Sequence, residues 1–435
     1  RAAIFLGAMW SHNWDISAFW DPDTRGYVAL AKDIVENGTF QSGGIPEIRR
    51  TPGYPLFVGL GQLVGGLGFV TVVQIVLSVV TAYVIYRVGL ELFRDKRAAQ
   101  FAMVMYAFEP TSVRYSVMLL TETLFTFVLV LFIAGFLAYL RTSSRAQVIL
   151  SGVVVAFAAF VRPIAYYLPF FIAPVMFIFN VKKDGIRRAS TEAVLFLLVA
   201  MVPMWMWQTR NALETSVNEF STIKYYNLYF YEAASLEARL QRRSLLDVQG
   251  EYGNRMAALH AGTPTQIQVM RDYATAVILE HPGQYAKLRL LGCLNTLLLP
   301  EAGTWFNLFG GSVGPAVGQT RVMSHGYFDA MRERITNTPL LFVASLLLTL
   351  LPAVIYLLAF VAIVRLMRNH LDRKQITFLL VLVFYFVSLS GAWSVGRFRH
   401  PIMPVACLLA GGGVSSLIDR WKARQGPAAR GNFGN

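Results

Sequence analysis

The residues best suited to chemistry in this chain lie between Phe19 and Pro55, in FWDPDTRGYVALAKDIVENGTFQSGGIPEIRRTPGYP. Asp21 and Asp23 open the stretch, and Arg49 and Arg50 close it. A carboxylate beside a bound hydroxyl is a general base. A guanidinium group presents a planar fork of donors that matches a phosphate or a carboxylate. Asp21-Pro22 also has the form of a helix N-cap with proline at the first helical position, and Asp23 in the first turn suits the helix dipole. Glu122 is a second acidic candidate. It begins the otherwise apolar run TETLFTFVLVLF beside Thr121, as a helix cap or as a ligand for a cation or for Arg114. Glu109, next to Pro110, is similarly placed at the end of the preceding helix.

Arginine placement adds to this. Arg50, Arg114, Arg162, Arg397 and Arg399 fall at helix ends or short turns on what the charge pattern below makes the outer side. Charge there is costly and has a partner. Each arginine alone also fits snorkelling to lipid headgroups. As a set beside Pro52, Pro163 and Pro401, they point to an anionic ligand, above all a phosphate.

The elements that position these groups are greasy. Of 435 residues, 55% are hydrophobic and 15% charged, against about a quarter charged in a soluble domain. The apolar residues form long blocks between short basic clusters, the pattern of an all-α polytopic membrane protein. Spanning helices are expected at about 69–93, 98–110, 118–140, 146–161, 164–180, 189–208, 339–364, 375–393 and 401–418. Residues 2–10 read as the exit end of a further helix whose beginning precedes Arg1, which gives about ten or more in all. Within the first loop, Tyr27, Leu30, Ala31, Ile34 and Val35 share one face of a surface helix over Pro22–Asn37, stopped by Gly38. Residues 54–66 are a short, Gly-rich, interfacial piece; Gly61 and Gly65 form a GxxxG suited to helix packing.

The basic clusters Arg94/Lys96/Arg97, Arg141/Arg145, Lys182/Lys183/Arg187/Arg188, Arg365/Arg368/Arg373/Lys374 and Arg420/Lys422/Arg424 occupy alternate connections. By the positive-inside rule these are cytoplasmic, and the first loop, 11–55, lies on the opposite side. The same rule accounts for most of the net charge of +14 without nucleic acid. Three regions result: 1–208, transmembrane and catalytic; 209–338, extracytoplasmic and mostly helical; and 339–435, C-terminal helices with a cytoplasmic tail. In the second, Thr263-Pro264-Gln266 starts a helix, His281-Pro282-Gly283 ends it, and 285–299 is a short interfacial helix. The aromatic run Lys224–Tyr231 suits an interfacial belt, or stacking on sugar rings. The tail, GPAARGNFGN, reads as disordered. Cys293 and Cys407 do not make a disulfide framework, and no Cys/His spacing is of metal type.

Four motifs resemble the GT-C glycosyltransferases that use polyprenyl-phosphate sugars, in the branch of protein O-mannosyltransferases and lipid A aminoarabinose transferases. WDPDTRGYVALAKDIVENGTF is similar to the family's acidic first outer loop and surface helix, with Asp23 at the aspartate position and Tyr27 at the expected distance. The glutamate usual after that aspartate is Thr24 here, a departure that bears on any metal held by the pair. RTPGYPLF is similar to a basic–x–Pro–x–Tyr element, with Arg50 in the basic position and Tyr54 as its tyrosine. SVMLLTETLFTF places Glu122 at an outer helix start, and Val161–Pro163 with GRFRHPIMP supply the late arginines. HPGQYAKLRL, residues 281–290, is also family-like. No WWD motif occurs, which turns the resemblance away from asparagine-linked oligosaccharyltransferases.

The resemblance implies a GT-C fold and an inverting transfer of a sugar from a polyprenyl phosphate to an acceptor hydroxyl. That acceptor is a lipid, a glycan or a protein, and the site faces outward from a bacterial inner membrane. Asp23, with Asp21 beside it, is the expected base. Arg50, Arg162, Arg397, Arg399 and Arg114 are expected at the donor phosphate, with Glu122, Tyr27 and Tyr54 in support. Membrane lipids are partners and nucleic acid is not. A divalent metal is a candidate cofactor, with no ligands assigned. The rival readings are a transporter or flippase of a lipid-linked anion, and a non-catalytic scaffold. The sequence shows none of the internal repeats and matched broken helices of many transporters.

Overall fold

The computed structural model describes residues 1–259, 261–311, 338–367 and 373–424. The expected tail, Arg368 and residues 312–337 of the 209–338 interval lie outside these. In the described residues the chain is almost wholly helical, and the one β pairing is a two-residue hairpin, Gln41–Ser42 with Ile45–Pro46. It is an all-α polytopic membrane protein.

After α1 (Ala2–Ser11), a surface helix α2 spans Thr24–Asn37 and ends at Gly38 in the left-handed conformation. This is the expected helix, shorter by two residues at its start. α3 (Gly53–Phe93) joins the short Gly-rich piece and the first full span; non-helical backbone at Gly65 and Gly66 separates them. α4 (Lys96–Phe108), α5 (Pro110–Tyr115), α6 (Glu122–Thr142) and α7 (Arg145–Val161) follow. The span expected to start at 118 starts at Glu122, because residues 116–121 form a turn. α8 (Leu168–Thr215) contains both spans expected over 164–208, divided at Gly185. It is preceded by a 3-10 turn, Pro163–Tyr167.

The segment that follows α8 comprises α9 (Ile223–Asn227), a π-helical turn (Leu228–Ala233), α10 (Ala234–Gln241), α11 (Leu245–Ala257), α12 (Pro264–Glu280), α13 (Pro282–Leu298) and α14 (Ala302–Leu308). Thr263 caps α12, its hydroxyl accepting from Gln266 N. Tyr229 of the aromatic run is buried against Tyr252 and Tyr273, so this part of the run is core. α15 (Pro339–Leu366), α16 (Arg373–Ser388), a 3-10 helix (Gly396–Ile402) and α17 (Met403–Arg424) complete the bundle.

Among the described residues, five helical stretches are long and apolar enough to cross a membrane: Gly53–Phe93, Glu122–Thr142, Pro163–Thr215, Pro339–Leu366 and Gly396–Arg424. Arg145–Val161 is apolar but shorter. Their buried faces form one large core, centred on α6 (Phe125, Phe132, Phe136) and on α16 and α17 (Phe378, Cys407). Many residues on their other faces, such as Leu347, Leu357 and Phe384, are exposed. A lipid-facing surface has this character, since apolar side chains lose nothing there.

The basic connections meet at one end. Arg97 and Arg365 both reach Asp419, at 2.8 and 3.6 Å; Arg141 pairs with Glu91, and Arg188 donates to Ser143 O at 3.1 Å. The acidic first loop and the turns holding Arg162 and Arg397 meet at the other.

Candidate functional site: a carboxylate and arginine cluster at one end of the bundle

α2 lies beside the start of α3, and its first turn sits over the turn 116–121. Thr24 explains the placement. Its hydroxyl donates to Leu119 O at 3.0 Å and accepts from Asp21 N at 2.9 Å. Leu119 N in turn donates to Phe19 O at 3.1 Å. Thr24 is fully buried, and its hydroxyl ties the start of α2 to the 116–121 turn. Gln74 holds the same turn from within α3, donating to Met118 O at 2.6 Å and accepting from the Tyr54 hydroxyl at 2.8 Å. The turn therefore delivers Glu122 to the first position of α6 under three separate restraints.

Arg397 is the centre of the cluster. One guanidinium nitrogen lies 3.1 Å from Asp23 Oδ2 and 3.7 Å from Asp21 Oδ1. Its Nε donates to Glu122 Oε1. Arg162 Nη1 donates to the same glutamate oxygen at 3.1 Å and lies over the Phe125 ring. Glu122 is fully buried, and two guanidinium groups compensate it. Buried charge persists only on such terms. The Asp23 side chain is the open member, 44% exposed. It is the N-cap residue of α2 by position, yet its side chain caps nothing.

Arg50 approaches from the other side, 3.6 Å from Asp23 Oδ1 and 3.9 Å from Glu47 Oε2. These are ion pairs without hydrogen-bond geometry, so Arg50 is loosely engaged. Its guanidinium covers the Tyr27 ring at 5.2 Å, and Tyr27 meets Tyr54 edge-on at 5.1 Å. Gly26 makes room for it: a Cβ there would stand 2.6 Å from Arg50 Cζ. Glu47 fixes the Arg49–Arg50 backbone, accepting from both N–H groups at 2.6 and 3.0 Å. Arg49 lies over the Tyr226 ring at 5.0 Å.

Two sequence candidates take other places. Arg399 is buried and donates to Thr111 Oγ1 at 3.1 Å and to Leu299 O at 2.8 Å. Arg114 is buried 3.5 Å from Glu301 and stacks on Tyr115. Glu109 caps α5, accepting from Thr111 N and Ser112 N. Sequence reasoning passed over Glu47, Glu301 and the structural part of Thr24. Glu47, three residues before Arg50, was within reach of a local pairing argument; Glu301 was not, since nothing local ties it to Arg114. Two polar atoms next in sequence to the cluster, Trp20 Nε1 and Thr51 Oγ1, are buried without a protein partner.

The cluster does not fit a divalent cation as it stands. Arg397 is already the cation that Asp21, Asp23 and Glu122 share. Among the described residues, no group of three or more His, Cys, Asp or Glu is placed to hold a metal.

Burial raises the Asp21 carboxyl above its ordinary range; Arg397 opposes this, and Asp23 and Glu122 add to it. The folded value thus lies above the unfolded one, so the ionised form costs the fold at neutral pH. That contribution to stability is present in acid and lost as pH rises through the folded value. Asp21→Asn is therefore expected to raise the melting temperature at pH 7, with the difference closing as pH falls through the carboxylate range. A lower melting temperature at pH 7 would mean that the pair with Arg397 outweighs burial.

Residues 49–207 match the family model of dolichyl-phosphate-mannose-protein mannosyltransferase. This stretch carries Arg50, Tyr54, Arg114, Glu122 and Arg162. No curated protein sequence matches the chain. Among solved structures, it is similar to the Archaeoglobus fulgidus oligosaccharyltransferase in complex with zinc and sulfate. The identity is 14%, the match covers 97% of this chain and 49% of that one, and the TM-score is 0.51. The chain has the GT-C fold.

It spans about half the length of that archaeal protein. Two further GT-C structures score lower. AglB from Archaeoglobus fulgidus, with an inhibitory peptide and dolichol-phosphate, is 14% identical, with 100% and 52% of the two chains covered and a TM-score of 0.49. ArnT from Cupriavidus metallidurans, bound to undecaprenyl phosphate, is 12% identical, with 96% and 76% covered and a TM-score of 0.41. The match at a TM-score of 0.51 bears out the expected GT-C architecture. The likeness to an oligosaccharyltransferase, despite the missing WWD motif, is one of fold.

Proposed function

We propose that this chain is a membrane glycosyltransferase that moves a sugar from a polyprenyl-phosphate donor to an acceptor hydroxyl on the extracytoplasmic side. One observation carries the reading. In a GT-C fold, a half-exposed carboxylate, Asp23, stands between two guanidinium groups at the open edge of an otherwise buried charge cluster. The family match over residues 49–207 supports the donor class. The alternation of basic connections supports the outward face and, with the family resemblance, a bacterial inner membrane.

The chemistry follows from the groups present. The acceptor oxygen attacks the anomeric carbon, and its proton passes to an Asp23 carboxylate oxygen. The bond from that carbon to the phosphate oxygen breaks, and the electron pair leaves with the polyprenyl phosphate. A single displacement of this kind inverts the anomeric centre. Arg50 is the arginine most available to the leaving phosphate, because its present contacts are long. Arg162 and Arg397 hold Glu122 and set the positive field at the same edge, where developing charge is stabilised by preorganised donors. A free phosphate monoester is a good leaving group, so no strong general acid is required.

The test uses purified protein in detergent, a panel of radiolabelled polyprenyl-phosphate sugars and a membrane extract. Label is expected to leave the donor for a new species that identifies the acceptor. A donor that binds and is never consumed, whatever its sugar, would move the reading to a transporter of lipid-linked anions.

Gly26→Ala separates phosphate binding from the fold. The three atoms nearest to the new methyl group all belong to the end of the Arg50 side chain. Stability is expected to change by less than about 1 kcal/mol. Donor affinity is expected to fall about tenfold, the loss of about 1.4 kcal/mol. Titration of labelled donor reads the second effect and thermal melting the first. Unchanged donor affinity would remove Arg50 from the phosphate site.

A further inference from the structure

HPGQYAKLRL, residues 281–290, has so far no part in the site. In α13, Tyr285 and Arg289 are four residues apart and share a face. Both reach Glu232 of the π-helical turn. The Tyr285 hydroxyl donates to Glu232 Oε2 at 2.8 Å, and Arg289 Nη1 donates to Oε1 at 3.1 Å. The Ala392 N–H is the third donor, 3.1 and 3.2 Å from the two carboxylate oxygens. The other Arg289 nitrogen donates to Ser388 O at 2.7 Å. Glu232 is buried. A buried carboxylate is tolerated only where such donors are in place, so it holds their geometry tightly.

Ala392 belongs to the irregular stretch between the end of α16 and the 3-10 helix that carries Arg397. The stretch is pressed from two sides. A Cβ on Gly391 would stand 2.2 Å from Glu232 Oε1, and one on Gly292 of α13 would stand 2.0 Å from Gly391 O. Beyond Arg397, Arg399 anchors the chain to Leu299 O and Thr111. Arg397 therefore hangs between two fixed points. One of them is a carboxylate from the segment that follows α8, in a π-helical turn, an element frequent at functional sites.

We propose that Glu232, held by Tyr285 and Arg289, is a positioning residue that sets the 389–396 turn so that Arg397 reaches Asp23 and Glu122. It touches no substrate and acts through Arg397. The catalytic part of the inference rests on the transfer reaction proposed above.

The test compares Glu232→Gln with the parent in the full chain in detergent. Donor Kd is expected to stay within about threefold, while single-turnover transfer at saturating donor falls about tenfold or more, the scale of one charge-assisted hydrogen bond. In an Arg397→Lys background, Glu232→Gln is expected to add less than about twofold, because both changes act on one group. Losses that multiply, or donor affinity that falls in step with rate, would make Glu232 merely structural and overturn the proposal.

A second readout needs no sugar. Ser394 is buried in the same turn, donating to Gly391 O at 2.6 Å. With Cys293→Ser and Cys407→Ala in place, Ser394→Cys is expected to react slowly with a water-soluble maleimide. Glu232→Gln is expected to speed that reaction about tenfold, as local opening becomes easier. An unchanged labelling rate would overturn the positioning. Faster labelling in a protein that transfers no sugar would uphold the hold on the turn and remove the transfer reading instead.

Discussion

Asp23→Asn is expected to lower sugar transfer by about 10²- to 10⁴-fold, the range that a positioned general base contributes, with folding and donor binding intact. The structure separates these effects. The Asp23 side chain makes no cap to α2, so the helix start does not depend on its charge. It is half-exposed, and its pairs with Arg397 and Arg50 are the kind that contribute about 0–1 kcal/mol. Arg397 keeps Glu122 and Asp21 after the change. An amide in place of the carboxylate also removes a negative charge near the donor phosphate, so donor affinity holds or improves. The loss should fall on the rate at saturating donor, with the donor Kd unchanged or lower. Membrane insertion, melting temperature and donor titration serve as controls. Full activity in Asp23→Asn, or activity lost only through donor binding, would end the assignment of Asp23 as the base.

Much of the scaffold was legible because a bilayer leaves few choices. Apolar blocks of sufficient length have to be helices, and the breaks expected near 66–69 and 181–188 appear at Gly65-Gly66 and Gly185. The surface helix was legible from its apolar face and from Gly38. What the sequence hid is pairing at long range. Arg397 meets Asp23 across 374 positions and Glu122 across 275. Nothing local distinguishes Arg397 from Arg399, two residues on. The backbone does: in a 3-10 helix with three residues per turn, positions two apart face different ways. One guanidinium therefore enters the cluster, and the other ties the turn to Leu299 and Thr111. The same limit hid Thr24, which in sequence is only a missing acid. It also hid Glu232, whose three donors come from two distant segments.

Arg397→Met is the second large effect, and it acts on fold and chemistry together. Arg397 is the cation common to Asp21, Asp23 and Glu122. Its loss leaves the buried Glu122 with Arg162 alone and brings the three acids closer to mutual repulsion. Removing one partner of a buried pair costs about 3–5 kcal/mol; the remaining pair at 3.1 Å places this case at the lower end. The expected result is a clear fall in melting temperature, together with loss of transfer. Adding Glu122→Gln separates the two. With the buried charge gone, the double variant is expected to melt above Arg397→Met, a coupling of opposite sign to the single losses. It is also expected to stay inactive, because the positive field at the open edge has not returned. If Arg397→Met melts like the parent, the cluster is hydrated and its charges are not compensating one another. If the double variant regains transfer, Arg397 serves only to neutralise Glu122, and the arginine acting on the leaving phosphate must be Arg50 or Arg162.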